Sequence, residues 1–77
     1  MEIRIGIADS PQVIEIELDH EVDRSEVVSQ VEATLKSGDE VLRLVDKKGR
    51  DWMVPAKRIA YVEVGTADAE RRIGFGA

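Results

Sequence analysis

Seven basic side chains sit in three short groups in the second half of the chain: Lys47, Lys48 and Arg50; Lys57 and Arg58; Arg71 and Arg72. Clustered Lys and Arg neutralise phosphates or an acidic protein surface, and Trp52, beside the first group, has a ring face on which a base can stack. If folding gathers the three groups, these eight residues form one interaction patch. Each also has a plainer reading. A basic hairpin loop is simply soluble, and an aromatic alternating with Val54 is more often core than exposed.

Other reactive constellations fail on spacing or context. His20 is the only histidine and stands among Asp19, Glu21 and Asp23, but a connecting loop does not aim an imidazole and carboxylates at one point, so it reads as a solvated run. Glu15 and Glu17 share one face of a strand, with nothing to suggest the burial that acid–base catalysis would need. Ser10, Ser25, Ser29 and Ser37 have no histidine at triad spacing. Gly74-Phe75-Gly76 lacks the following helix of a phosphate loop, and Gly49 follows its lysines where Walker A needs the lysine last. With no cysteine there is no thiolate metal site, disulfide or Cys nucleophile. No catalytic, metal-ligating or cofactor-binding residue is assigned, and the chain reads as non-enzymatic.

Positioning these side chains falls to a short chain. Its 77 residues are 43% hydrophobic and 35% charged, enough for one modest core and one domain spanning residues 1–77. Residues 1–40 carry eleven acids against three bases, net −8, and residues 41–77 carry eight bases against five acids, net +3. Such a split produces faces of opposite sign. The start lacks the pattern of a signal peptide, and no run of about 18 apolar residues appears, so no membrane association is expected and a reducing cytoplasm fits.

Alternation of Ile3, Ile5 and Ile7 with polar residues predicts a strand, and Ile14, Ile16 and Leu18 a second, joined through Asp9-Ser10-Pro11 as a hairpin with Arg4 opposite Glu15 or Glu17. Asp23 before Glu26 has the form of a helix cap, apolar residues at 27, 28, 31 and 35 follow at helical spacing, and Gly38 supplies a stop, which places a helix at 24–37. Residues 40–45 and 52–54 form strands around the loop Asp46–Arg50, with Pro55 ending the second. Residues 59–64, apolar on both faces, read as a central strand, and 71–76 as a weak last strand with Ile73 and Phe75 inward. The order ββαβββ predicts an α+β, two-layer fold, a mainly antiparallel sheet of five or six strands with one helix on one face. Ile5, Ile16, Val31, Leu35, Leu44 and Val62 should meet in its core.

The opening Met1-Glu2-Ile3-Arg4-Ile5-Gly6-Ile7, the loop Asp46–Gly49, the run Val54–Gly65 and the ending Arg71-Arg72-Ile73-Gly74-Phe75-Gly76 carry a resemblance over nearly the whole chain. It resembles the actinobacterial family called domain of unknown function 3107. The resemblance implies a cytoplasmic single-domain protein of actinobacterial type and brings no assigned activity.

Two functional expectations remain. The first is a small interaction domain binding a protein partner, or itself, through a strand edge or the outward sheet face, where Val41, Met53 and Tyr61 are interspersed among charges. The alternative is an RNA- or DNA-binding module using the basic loops at Lys47–Arg50 and Lys57–Arg58, against which the net charge of −5 counts.

Overall fold

The computed structural model describes residues 1–66. Strands β1 (Glu2–Ile7) and β2 (Val13–Glu17) form the first hairpin, followed by α1 (Arg24–Ser37), β3 (Val41–Val45), β4 (Asp51–Pro55), a 3₁₀ turn (Ala56–Arg58) and β5 (Ile59–Val64). Each boundary has a local cause. The Asp23 carboxylate accepts the Ser25 amide at 2.9 Å and its hydroxyl at 2.8 Å, satisfying donors that the first helical turn leaves open. Gly38, at φ 80°, turns the chain out of α1 while its amide donates to Thr34 O.

The order of elements is as expected, but the strands do not form one sheet. They divide into a three-stranded antiparallel sheet, β2-β1-β5, and a separate two-stranded hairpin, β3-β4. Strand β1 bonds a neighbour on each side, while β3 and β4 pair only with one another, and no ladder connects the two sheets. They meet through side chains, Ile3, Ile5 and Ile16 joining Leu42, Leu44 and Val54 in one apolar cluster with Val27 and Val31 of the helix. The centre of the larger sheet is β1, not the strand at 59–64. That strand is an edge, its apolar content on the outer face being Tyr61, which covers Gly6. The expected strand at 71–76 lies outside the described residues.

The core expectation holds for Ile5, Ile16, Val31 and Leu44, with Val62 half-buried against the same cluster. Leu35 is the exception, at 41% exposure, and Thr34 is buried in its place. At about 100° per residue, Thr34 lies some 20° from Val27 around the helix and Leu35 about 80°, so the buried stripe runs through Val27, Val31 and Thr34.

Candidate interaction surface

The loop between β3 and β4 is organised by the carboxylate of Asp46, which is buried. Its Oδ1 accepts the amides of Lys48 and Arg50, each at 2.9 Å, and its Oδ2 accepts Arg50 Nε at 3.1 Å and Trp52 Nε1 at 3.0 Å. Gly49 at φ 86° lets the chain turn tightly enough for its own amide to reach Asp46 O. The indole N–H of Trp52 is the largest cause holding the Asp46 carboxyl well below the usual carboxylate range, followed by the Arg50 amide, with burial working in the opposite direction.

This arrangement ties up part of the predicted patch. Arg50 is anchored to Asp46, and its guanidinium carbon sits 6.0 Å from the centre of the Trp52 ring, covering a face on which a base would stack. Trp52 itself is half-buried against the core. Lys47 and Lys48 are exposed, and with Arg50 and Trp52 they border a shallow cleft of about 240 Å³ whose other wall carries Glu15 and Glu17. Both signs of charge therefore face this cleft.

Nor does the fold gather the basic groups. Val45 pairs with Asp51 at the loop end of the β3–β4 hairpin, and Val41 with Pro55 at the other. Four residue steps at about 3.4 Å separate these ends by about 14 Å, so Lys47, Lys48 and Arg50 lie beyond one end, and Lys57 and Arg58, in the 3₁₀ turn, beyond the other. Closeness in sequence across a hairpin becomes distance along its axis. Arg71 and Arg72 lie outside the described residues.

The outward faces of the two sheets differ in chemistry. On the larger sheet Arg4 stands between Glu15 at 3.5 Å and Glu63 at 3.8 Å, its partners in register on either side, giving a solvated row of alternating charge. On the hairpin, Val41, Val45 and Met53 are exposed at 52%, 49% and 65%, accompanied by an ion pair between Arg43 and Asp51 at 3.0 Å. The interspersed apolar residues are thus divided between the sheets, Val41, Val45 and Met53 on the hairpin and Val13 and Tyr61 beside Gly6 on the larger sheet.

His20 is exposed, with Nδ1 3.5 Å from the Asp19 carboxylate. Among the described residues no group of three or more His, Asp or Glu side chains is arranged to hold a metal ion. No described helix is long and apolar enough to cross a membrane. The residue that sequence reading passed over is Asp46; its signal was an aspartate opening a tight glycine-containing loop, where a carboxylate bonds amides two residues on.

No curated protein matches the chain. Residues 1–76, by contrast, match the model of a family described as Protein of unknown function (DUF3107), a match that takes in both sheets, the helix and the Asp46 loop. The expected resemblance is therefore a membership: the chain belongs to the DUF3107 family.

Proposed function

We propose that this chain is a non-enzymatic, cytoplasmic interaction domain that binds protein through the β3–β4 hairpin. The observation that carries the reading is the exposure of Val41, Val45 and Met53 together on one short two-stranded element, while on the larger sheet the exposed Val13 and Tyr61 flank Gly6 beside the charged row through Arg4. Apolar groups left on a surface this small gain free energy when a partner removes them from water. Nucleic-acid binding ranks second, because the basic groups are divided between the hairpin ends and Arg50 covers the Trp52 ring.

The test compares the wild type with a Val41→Ser, Val45→Ser double variant as bait in native lysate, identifying captured proteins and measuring affinity for each purified one. Both valines point away from the core, so the variant keeps its fold. Loss of at least tenfold in affinity for a specific partner supports the reading. Equal binding by both baits, or no specific partner and no self-association, overturns it.

A further inference from the structure

An edge strand can receive another chain only where its amides and carbonyls point outward unbonded, and hydrogen-bonded and non-bonded pairs alternate along an antiparallel ladder. In the β3–β4 hairpin, Asp46 N–H donates to Arg50 O at one end and Ala56 N–H to Glu40 O at the other. The inner bonded pairs are therefore Leu44 with Trp52 and Leu42 with Val54. The backbone groups of Arg43 on β3, and of Asp51 and Met53 on β4, must point outward. A hydrogen bond from Gln30 Nε2 to Arg43 O, 2.7 Å long, confirms the alternation.

Among the described strands, three of the four edges have one outward carbonyl already taken. On β3 the central outward carbonyl is taken by Gln30. On β5 the Arg24 guanidinium takes Val64 O at 3.5 Å, at the end of the strand, and Gly65 O at 2.9 Å just beyond it, while the outward groups of Val62 stay open. On β2 the outward carbonyl of Glu17 accepts the Lys47 amide at 2.9 Å, and a self-pairing centred on the middle residue would set Glu15 against Glu15. Strand β4 has no such protection. Among the described residues nothing bonds the outward backbone groups of Asp51 and Met53, and Met53 at its centre is the most exposed large apolar side chain.

We propose that β4 pairs antiparallel with β4 of a second copy of the chain, about a two-fold axis at Met53. The proposal rests on the reading of the hairpin as the interaction element and names its occupant. In the register centred on the middle outward residue, Met53 faces Met53 of the second copy, Asp51 faces Pro55, and Trp52 faces Val54. Four hydrogen bonds result, two between the Met53 residues and two from Asp51 N–H to Pro55 O, the proline lacking the N–H for a further pair. No charge meets its like. The result is a four-stranded sheet whose outer face joins the exposed Val41, Val45 and Met53 of both copies. Because Gln30 obstructs the far edge of each hairpin, the assembly closes at two copies instead of growing into a fibre.

The absence of cysteine provides the test. Met53→Cys creates the only thiol in the chain. Facing residues of a bonded antiparallel pair have Cα atoms about 5.5 Å apart, within disulfide reach, so mild oxidation should join two copies at this position, while Val13→Cys on β2 should not cross-link. Sedimentation of the wild type from micromolar to millimolar concentration should show the mass doubling with a Kd of about 10⁻⁵ M, as suits an interface below about 1,200 Å². Met53→Lys places two ammonium groups at the axis and should weaken the dimer at least tenfold, with the monomer's circular dichroism unchanged. A monomer throughout, with no cross-link at 53, overturns the proposal, as does a dimer that Met53→Lys leaves intact. If the chain is monomeric but the Val41/Val45 variant loses a specific partner, self-pairing fails while the interaction reading stands.

Discussion

The ring of Tyr61 lies over Gly6, its partner across the β1–β5 ladder, so closely that a Cβ at position 6 would stand 2.6 Å from Tyr61 Cδ2 and Cζ. The glycine supplies the space and the aromatic supplies the apolar cover that the glycine lacks. Gly6→Ala should therefore push the ring into solvent and cost about 1 kcal/mol. In a Tyr61→Ala background the same change should become neutral or stabilising, since a strand glycine without its cover carries only an entropic penalty. A double-mutant cycle by urea denaturation reads the sign change, and simple additivity would contradict the coupling.

Asp46 couples stability to acid pH. Its folded pKa lies below the unfolded value of about 3.9, so its contribution is complete above that value and is lost as pH falls toward the folded pKa. The wild-type melting temperature should decline below about pH 5. Asp46→Asn keeps one oxygen for the loop amides but turns an NH₂ toward the donors Arg50 Nε and Trp52 Nε1. It should melt lower at pH 7 and decline less steeply in acid. A variant tracking the wild type from pH 7 to 3 would show that the carboxylate does not hold the loop.

The helix orientation gives contrasting stability effects at two apolar residues. Ile5 is fully buried, and Ile5→Ala should cost about 2–5 kcal/mol, a large share of the stability of a domain this small. Leu35→Ala should cost less than about 1 kcal/mol, because the side chain is already partly in water. Chemical denaturation of both variants decides the matter; a larger loss at Leu35 would mean that the helix is turned.

Separated basic groups should bind nucleic acid only weakly. RNA or DNA titrated at physiological salt is predicted to give a Kd no tighter than about 10⁻⁵ M, with affinity falling further as salt rises. Sub-micromolar, sequence-preferring binding that disappears in the Lys47→Glu, Lys48→Glu variant would reverse the order of the two functional readings.

Asp23 and Gly38 mark the helix in the sequence as they bound it in the structure, and Arg4 meets Glu15 as alternation along β1 and β2 requires. Alternation assigns residues to faces but does not say which strands are neighbours. For that reason the split between β2-β1-β5 and β3-β4, and the edge position of the strand bearing Tyr61, were not legible. Leu35 was misplaced because Thr34, polar yet small, fits the stripe better by angle than by hydropathy. The role of Asp46 depends on four donors converging from Lys48, Arg50 and Trp52, a geometry that exists only once the loop has closed.

The separation of the two sheets also bears on how the molecule breathes. Strand β1 is held by ladders on both sides, whereas the hairpin is held to the rest by side-chain packing and a few bonds, among them Lys47 N–H to Glu17 O and Gln30 to Arg43 O. Such an element is a candidate foldon, able to detach at a lower free energy than the whole protein unfolds. Amide protons of Leu42, Leu44 and Val54 should then exchange with solvent sooner than those of Ile3 and Ile5, though all five side chains are buried. The part of the chain proposed to meet another molecule is thus also the part that no ladder ties to the remainder.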